Sequence, residues 1–520
     1  MTIRLSTAQL DRAAGVLLGA ACGDALGAPY EFGPPLRPDI AVTMTGGGSF
    51  GWSPGEWTDD TAMAIAIAEA SATGADLRAD AARDQIAARW VEWAANAKDV
   101  GAQTRAVLGQ TSQPSGGSGT AVSPRAADLA ASAIAHHRRK GRSGGNGSLM
   151  RTAPIALAYL DDPDGLVHAA REISAMTHHD PAAGEACALW CLAIQHAVLE
   201  GTLDLRRGLE RLPEARARFW TARLDDAERS GPADFPHNGW VVQALQAAWS
   251  AITTTAAQTS SADRDAGFSN AGSSTARSSN VVSSTAGSAH FRRALEAAVR
   301  GGYDTDTVAA IAGGLVGGLY GASAVPAQWR RPLHGWPGLR ARDLVRLGVM
   351  TARGGQSDPA GGPMSATLDY SAFRGSGALA RDPHDAGVWL GGVDALRSLP
   401  DGVNAVVSLC RLGLSEVPAP GVAAGDHVEV WLIDEADPAK NPNLDFVLSD
   451  AAAAVAALRA EGKTVLLHCV QAQSRTPAVA ALYGARLTGR SPSEALSDIV
   501  KVLPDANPNA AFRAALERLG

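Results

Sequence analysis

The periodicity of apolar residues changes once along this chain, at a Gly- and Pro-rich stretch, TARGGQSDPAGGP, over 351–363. Before this stretch, apolar residues recur at spacings of three and four, the pattern of amphipathic helices. After it, short runs rich in Val and Leu alternate with helical segments, which is typical of a mostly parallel sheet covered by helices. We therefore predict a multidomain protein: an all-α domain over 1–348, a linker over 349–365 and an α/β domain over 366–520.

The composition excludes several functional classes. The 520 residues are too many for one hydrophobic core, and a net charge of −7 argues against a general nucleic-acid or membrane-surface binder. The five cysteines form no CxxC pair, so neither a disulfide framework nor a cysteine zinc site is expected. The N-terminus lacks the apolar core of a signal peptide, and no apolar run approaches the ~20 residues of a membrane span. We expect a cytoplasmic protein without a membrane partner.

One segment inside the helical domain has a different composition. Residues 252–288, ITTTAAQTSSADRDAGFSNAGSSTARSSNVVSSTAGS, consist mainly of Ser, Thr, Ala and Gly with one aromatic residue. Such a segment cannot bury enough apolar surface to offset the entropy of ordering it. We predict a disordered insertion over 252–288.

Two acidic clusters stand far apart in the helical domain. WTDDTAM (57–63) and GGYDTDTVAA (301–310) each place Thr and Asp oxygens at a predicted helix start. A single cluster of this kind is commonly an acidic first turn that caps the helix. If the two clusters face one another, they form an all-oxygen cage, which suits Mg²⁺ or Mn²⁺ rather than zinc. Two such ions would balance the charge of four carboxylates.

The helical domain resembles the ADP-ribosylglycohydrolase family over nearly all of its length. The matching stretches, in the order of the family, are GVLLGAACGDALGAPYEF, WTDDTAM, GGNGSLMRTAPIAL, MTHHDP and GGYDTDTVAAIAGGLVGGLYG. The resemblance implies an all-helical fold, hydrolysis of a glycosidic bond to ADP-ribose, and two bound Mg²⁺ or Mn²⁺ ions. It also implies that Glu31 lies beside the scissile bond and that the metal ligands are Thr58, Asp59, Asp60, Asp304, Asp306 and Thr307.

Two further features of this domain are candidates for substrate binding. The Gly-rich turn in GGNGSLMRTAPI can present backbone N–H groups to a diphosphate, although a tight loop before a helix has the same pattern. The resemblance places this turn near ADP-ribose, which makes Asn146, Gly147 and Ser148 candidate binders. His178 of MTHHDP is another candidate, and a structural role explains it equally well.

The α/β domain contains a candidate nucleophile in TVLLHCVQAQSRTP (464–477). An apolar strand leads to Cys469, and after five intervening residues Arg475 and Thr476 open a helix. Backbone N–H groups of such a loop bind phosphate and favour a thiolate, Arg475 can hold phosphate oxygens, and Thr476 can donate to the departing sulfur. A buried cysteine at a strand end with a surface arginine is the structural alternative.

This segment resembles the dual-specificity and tyrosine phosphatases over about 387–520. The general acid of that family is an Asp some thirty residues before the cysteine. Asp437 is our candidate, and Asp434 is the alternate. The family usually has Gly at the fourth loop position, where this chain has Ala472, so the Cβ there can strain the loop.

These observations predict a two-activity enzyme. Its helical domain would remove ADP-ribose from a modified protein or small molecule, and its α/β domain would hydrolyse a phosphorylated substrate. Two alternatives remain open. In one, the phosphatase is the main activity and the helical domain recruits ADP-ribosylated targets. In the other, both domains bind modified proteins without turning them over, which the substitution at Ala472 favours for the C-terminal half.

Overall fold

The computed structural model describes residues 4–111, 124–265, 286–357, 365–373 and 378–520. These residues form two compact units. The first consists mainly of Gln9–Ala322 and Leu333–Gln356, and the second mainly of Ser323–Pro332 and Ser357–Gly520. Ser323–Pro332 lies within the predicted helical domain but groups with the second unit, which is a correction to the predicted boundary.

The described part of the first unit is helical, as the apolar spacing predicts. Its helices are α1 (Thr7–Gly27), α2 (Asp59–Ser71), α3 (Asp80–Ala94), α4 (Ala102–Thr111), α5 (Ala126–Lys140), α6 (Ala153–Ala158), α7 (Pro163–Ala175), α8 (Pro181–Glu200), α9 (Glu214–Arg229), α10 (Val241–Asp265), α11 (Ala286–Arg300) and α12 (Thr305–Tyr320). After α13 (Ala327–Arg330) of the second unit come two short antiparallel strands, β1 (His334–Gly335) and β2 (Leu339–Arg340), and α14 (Ala341–Ala352). α1 and α12 are buried around almost their whole circumference, so they are core helices rather than surface helices.

Glycines allow α1 and α12 to touch backbone to backbone. A Cβ atom added at Gly19 would lie 2.3 Å from the carbonyl oxygen of Gly313, and one at Gly23 would lie 2.0 Å from that of Ala309. At Gly27 it would lie 2.4 Å from the Cα of Asp306. These glycines recur every four residues, so they share one face of α1. The close approach brings the end of α1 against the acidic start of α12.

The predicted insertion and linker need two corrections. α10 continues to Asp265, so 252–265 is helical rather than disordered. The reason is local: Ile252 is buried, and the hydroxyls of Thr253 and Thr254 donate to carbonyls one turn back instead of competing with the helix. The predicted linker also begins too early, because α14 extends to Ala352. The remaining parts of these two predictions, 266–285 and 358–364, lie outside the described residues.

The second unit contains the mostly parallel sheet that the sequence predicts. Its order is β3-β4-β7-β5-β6, in which only the edge strand β3 is antiparallel to its neighbour. The strands are β3 (Leu379–Arg381), β4 (Val388–Gly391), β5 (Ala405–Ser408), β6 (His427–Glu429) and β7 (Val465–His468). The remaining helices are α15 (Leu444–Ala460), α16 (Arg475–Thr488), α17 (Pro492–Val502) and α18 (Ala510–Leu519). β7 is central and fully buried, and the chain leaves it directly into the predicted cysteine loop.

Charged hydrogen bonds explain why Ser323–Pro332 belongs to the second unit. The Ala327 N–H donates to Asp450 Oδ2 at 2.9 Å, at the start of α13. Arg331 Nη2 donates to Asp426 at 2.9 Å and to Glu461 at 2.6 Å. Sequence spacing gives no sign of these long-range partners, so the boundary could not be placed from periodicity.

One helix differs from the expectation about apolar runs. α8 is 20 residues long, and an 18-residue stretch of it has a mean hydropathy of 1.4, so this helix is long and apolar enough to cross a membrane. However, 83% of that stretch is buried inside the first unit, as is usual for a core helix.

Candidate functional site

The two acidic clusters meet in the first unit. Thr58 is the residue before α2, and its Oγ1 lies 3.5 Å from Oδ2 of Asp306, which is 248 residues away in the first turn of α12. The same oxygen lies 3.1 Å from Asp60 Oδ2 and 3.4 Å from Asp59 Oδ1. The structure therefore brings together the side chains that the sequence singled out at both helix starts.

This cluster has more acceptor oxygens than hydrogens. The single hydroxyl hydrogen of Thr58 faces three carboxylate oxygens, so at most one of these contacts is a hydrogen bond at a time. Oδ1 of Asp60 is buried and has no hydrogen-bond partner. Burial, followed by the charges of Asp24 and Asp59, raises the pKa of Asp60 well above its usual range. Such a group needs a proton or a cation close by.

Asp24 completes the cluster, and the sequence analysis did not single it out. Its carboxylate accepts the backbone N–H of Thr58 at 2.9 Å, and both the N–H (3.0 Å) and the hydroxyl (2.6 Å) of Thr61. It therefore caps α2 from α1, although burial still raises its pKa to about 6. A lone carboxylate inside the apolar run GVLLGAACGDALG was the available signal.

Glu31 lies at the edge of the same cluster. One oxygen atom each from Glu31, Asp304 and Asp306 lies within 4.8 Å of the others, and Asp24, Asp60 and Asp306 form a second such group. Burial, followed by the charge of Asp304, raises the pKa of Glu31 to about 9. Glu31 and Asp304 are 273 positions apart in the sequence, and their proximity agrees with a role of Glu31 beside the metal ligands.

These residues fit hard divalent cations. The donors are carboxylate and hydroxyl oxygens, the two groups share Asp306, and the orphaned Asp60 oxygen is a ready ligand. Burial, with the charges of Asp99 and Asp24, raises the pKa of Asp59 to about 8, so its environment also disfavours an uncompensated anion. Thr307 lies beside them, with its N–H on Asp306 at 2.8 Å and its hydroxyl 3.8 Å from the Met150 sulfur. The identity of the ions and the ligand role of each residue stay predictions.

The Gly-rich turn borders this cluster. Asn146 Nδ2 donates to Asp304 Oδ2 at 2.8 Å and to the carbonyl of Asn238 at 2.9 Å. Asn238 in turn accepts the N–H of Asp304 at 3.1 Å, a contact that the sequence analysis missed. Asn146 thus orients a carboxylate, while Ser148 accepts a bond from the thiol of Cys187 at 3.6 Å. The turn borders the acidic cluster, and its contact with ligand stays a prediction.

His178 lies against the same Gly-rich turn. Arg151 Nη2 donates to Thr177 Oγ1 at 2.6 Å, and Thr177 Oγ1 lies 2.7 Å from His178 Nδ1. A neutral ring with its hydrogen on Nε2 can accept the threonine hydrogen at Nδ1. Burial lowers the pKa of His178 well below its usual range, which keeps the ring neutral. A Cβ at Gly147 would lie 3.3 Å from Nε2, so the glycine makes room for this ring.

In the second unit, the cysteine loop forms the floor of a cavity of about 300 Å³. The lining residues are Asp434, Cys469, Val470, Gln471, Gln473, Ser474, Arg475, Asp505 and Asn507. Nη1 of Arg475 donates to the carbonyls of Leu409 (2.9 Å) and Leu432 (3.2 Å), while its Nε is buried without a hydrogen bond. The helix that Arg475 opens has no side-chain cap, so its first N–H groups stay open for an anion.

Of the two candidate general acids, Asp434 lines the cavity and Asp437 does not. Asp434 lines the cavity, its Oδ2 lies 3.5 Å from Arg475 Nε, and its Oδ1 accepts the hydroxyl of Ser474 at 2.6 Å. Asp437 instead accepts the N–H of Ala439 at 3.0 Å and does not line the cavity. Asp437 caps a short 3₁₀ turn, and the general-acid role of either residue stays a prediction.

A directional chain of hydrogen bonds supports the cysteine loop from below. The Ala419 N–H donates to His427 Nδ1 (3.0 Å), so this ring, when neutral, carries its hydrogen on Nε2 and donates to Ser408 Oγ (2.7 Å). Ser408 then donates to His468 Nε2 (2.6 Å), and His468 Nδ1 donates to the carbonyl of Cys469 (3.2 Å). Burial lowers the pKa of His468 to about 4, which agrees with a neutral ring.

The sequence singled out two further loop residues, Ala472 for strain and Thr476 for a contact with the departing sulfur. Ala472 has a φ of 57°, in the left-handed region where a Cβ is costly, so the strain expected at this position is present. Thr476 Oγ1 is buried without a hydrogen-bond partner, so no bond joins it to the sulfur of Cys469. The loop has the architecture of an anion site with one strained residue.

Comparisons with known proteins concern mainly the helical part. Residues 5–358 match the sequence profile of the ADP-ribosylglycohydrolase family. The ADP-ribosylarginine hydrolase Tri1 of Pseudomonas putida (strain GB-1) is 29% identical over 327 residues, which are 62% of this chain and 73% of that protein. The ADP-ribosyl-(dinitrogen reductase) glycohydrolase of Rhodospirillum rubrum is 27% identical over 325 residues, or 61% of this chain and 89% of that protein.

Two solved structures align with this chain to different extents. A structure described as an ADP-ribosylglycohydrolase-related protein complex is 26% identical, with a TM-score of 0.44, and the alignment covers 67% of this chain and 99% of that chain. The crystal structure of human DUSP28 is 25% identical, with a TM-score of 0.23, over 27% of this chain and 92% of that chain.

Proposed function

Because this chain belongs to the ADP-ribosylglycohydrolase family, we propose that its first unit removes ADP-ribose from arginine side chains of modified proteins, with the help of divalent cations. The family assignment supports an ADP-ribosyl hydrolase, and the arginine linkage is proposed from the relative named ADP-ribosylarginine hydrolase. The observation that carries the proposal is the meeting of Thr58 with Asp306 across 248 positions of sequence.

The residues of the cluster account for the chemistry. Hydrolysis of a ribosyl bond passes through a transition state that resembles an oxocarbenium ion, which nearby carboxylates stabilise. Bound Mg²⁺ or Mn²⁺ would supply Lewis acidity and a fixed hold on ribose hydroxyls. Glu31, beside Asp304, is placed to exchange a proton with the attacking water or the leaving nitrogen. Asn146 fixes the orientation of Asp304 through its amide hydrogen.

A pair of matched peptides tests this function. Arginine-linked and serine-linked ADP-ribosyl peptides are incubated with the full-length protein, with Mg²⁺, with Mn²⁺ or with EDTA, and released ADP-ribose is measured. We expect metal-dependent release from the arginine-linked peptide. Equal release in EDTA would contradict the role of the cations, and release from the serine-linked peptide alone would contradict the linkage.

We further propose that the second unit hydrolyses a phosphate ester through Cys469. The support is the cavity in which Cys469, Arg475 and Asp434 converge at the start of an uncapped helix. The thiolate would attack phosphorus, Arg475 would hold the phosphoryl oxygens, and Asp434 would protonate the leaving oxygen. The cytoplasm remains the proposed location, since a thiolate nucleophile needs a reducing compartment.

The test of this second function separates it from the first. Turnover of an aryl phosphate and of a phosphotyrosine peptide is measured for the wild-type protein and for Cys469→Ser. We expect the variant to lose phosphate release while its release of ADP-ribose stays unchanged. A wild-type protein that binds phosphate but turns over neither ester would identify the second unit as a phosphate-binding module instead.

A further inference from the structure

Two aromatic residues beside the acidic cluster have strained backbones. Among the described residues, Phe32 (φ 65°), Tyr303 (φ 64°) and Ala472 (φ 57°) are the non-glycine residues with positive φ. Phe32 directly follows Glu31, and Tyr303 directly precedes Asp304. Bulky side chains avoid this conformation, and such strain persists where the surrounding structure enforces it, often at functional sites.

The surrounding structure enforces it here through reciprocal backbone bonds. The N–H of Phe32 donates to the carbonyl of Tyr303 at 2.6 Å, and the N–H of Tyr303 donates to the carbonyl of Gly33 at 2.6 Å. Glycine at either position would relieve the strain, yet the chain carries an aromatic residue at both. The side chains themselves therefore need an explanation.

Packing in the core does not explain why aromatic side chains occupy these two strained positions. Phe32 is 62% exposed and Tyr303 is 36% exposed, among the most exposed large apolar side chains of the described residues. Phe50 meets Phe32 edge to face, with 6.1 Å between the ring centroids. We call Phe32 and Tyr303 the aromatic shelf. It lies within one residue of Glu31 and Asp304, whose carboxylate oxygens approach Asp306 within 4.8 Å.

We propose that the aromatic shelf binds the guanidinium of the arginine that carries ADP-ribose, and so selects arginine as the acceptor residue. This inference rests on the proposed hydrolase function and adds the residues that recognise the acceptor. Ring faces attract cations, and a guanidinium is the planar cation next to the scissile bond of an arginine-linked substrate, so it is the complementary occupant. The adenine base is the other planar group of the substrate. It lies at the far end of the diphosphate from the scissile ribose, whereas the shelf lies beside Glu31 and Asp304.

Variants that remove or keep the aromatic ring test the shelf. Phe32→Leu and Tyr303→Leu keep an apolar side chain at the strained position and remove the π face, whereas Phe32→Tyr and Tyr303→Phe keep a ring. We expect each leucine variant to raise KM for the arginine-linked peptide roughly 2- to 30-fold, the range of one cation–π contact. The ring-keeping variants should stay near wild type. KM for the serine-linked peptide, if it is cleaved, and the affinity for free ADP-ribose should not change. Phe373→Leu, at an exposed aromatic residue of the second unit, is the control.

The opposing results are distinct. Weaker binding of free ADP-ribose in the leucine variants would assign the shelf to the adenine base and overturn the proposal. An equal rise in KM for both linkages, or no rise for the arginine-linked peptide, would overturn it as well. A wild-type protein that cleaves neither peptide would contradict the proposed function. Binding of the intact arginine-linked peptide to the wild-type and Phe32→Leu proteins then still decides whether the shelf recognises arginine.

Discussion

The two units use the start of a helix in opposite ways. In the first unit, carboxylates of the chain itself occupy the N-termini of α2 and α12: Asp24 accepts N–H groups of α2, and Asp306 accepts the N–H of Thr307. In the second unit, α16 has no side-chain cap, and its first residue is Arg475. The N-termini of α2 and α12 are therefore occupied by carboxylates of the chain, whereas the N-terminus of α16 is available to an anionic ligand.

This difference determines what each site needs in order to bind an anionic substrate. ADP-ribose and a phosphate ester both carry negative charge. The cysteine loop can attract such a group with its own N–H groups and Arg475. The acidic cluster repels it unless cations intervene, because the charges that act on Glu31 and Asp306 come from other carboxylates. The first unit should therefore depend on metal, and the second should not.

The largest expected effect is at Asp306, which belongs to both acidic groups. Asp306→Asn should lower the release of ADP-ribose roughly 100- to 1,000-fold, as expected when one preorganised electrostatic group is removed. We also expect Mn²⁺ to raise the melting temperature of the wild-type protein and not that of the variant, because a cation stabilises only the state that binds it. Calorimetric scans with and without Mn²⁺, alongside the activity assay, measure both.

Asp164→Asn provides the matched control for this change, since it removes an exposed carboxylate from α7 of the same unit. Its activity and its response to Mn²⁺ should equal those of the wild-type protein. An Asp306→Asn variant that still responds to Mn²⁺ would break the comparison, because the metal would then bind elsewhere.

The second effect concerns the general acid of the cysteine loop. Asp434→Asn should lower the turnover of an alkyl phosphate, which has a poor leaving group, roughly 100-fold, because proton donation in the transition state is lost. Asp437→Asn should change it less than about twofold, since Asp437 only caps a 3₁₀ turn. Steady-state rates of the two variants separate the assignments. A larger loss in Asp437→Asn would restore the choice made from sequence.

The third effect concerns the hydrogen-bond chain below the cysteine loop. Ser408→Ala leaves Nε2 of both His427 and His468 without its partner, and each orphaned buried group costs about 1–3 kcal/mol. Hydrogen exchange at Ala405–Ser408 and Val465–His468 should accelerate accordingly, while the first unit is unaffected. Ser497→Ala, at an exposed helix position, should leave exchange in these strands unchanged. Unchanged exchange in Ser408→Ala would mean that the chain carries little stability.

The smallest expected effect is at Ala472. Ala472→Gly should stabilise the second unit by about 1 kcal/mol, because glycine adopts a φ of 57° without a steric penalty. Ala456→Gly, on the exposed face of α15, should instead destabilise the unit by about 1 kcal/mol. Urea denaturation monitored by proteolysis of the second unit distinguishes the two signs. A loss of stability in Ala472→Gly would show that the loop depends on its methyl group.

Local sequence patterns predicted which helices and strands form better than they predicted where helices and units begin and end. The helices of the first unit and the strands at Ala405–Ser408 and Val465–His468 follow from apolar spacing. Periodicity failed where hydrogen bonds of polar side chains decided the outcome. Arg331 ties its segment to the second unit through Asp426, and threonine back-bonding carries α10 past Ile252. The spacing of apolar residues reveals neither of these hydrogen bonds.

The site was predicted to a similar extent. The resemblance pointed to six residues, and the structure brings them together: Thr58, Asp59, Asp60, Asp304, Asp306 and Thr307. The partners Asp24, Asp99 and Asn238 were missed, because an isolated polar residue shows its role only through its neighbours.

The sequence by itself determined which oxygen and sulfur groups stand at helix starts, because capping residues, glycines and apolar runs act over a few positions of the chain. Only the tertiary structure decided which of these groups meet. Glycines on one face of α1 let its backbone reach α12, and this contact brings Asp24 to Asp306. Likewise, the sheet order places Ser408 between His427 and His468. Side-chain chemistry is local, whereas the distance between two charges depends on how the whole chain packs.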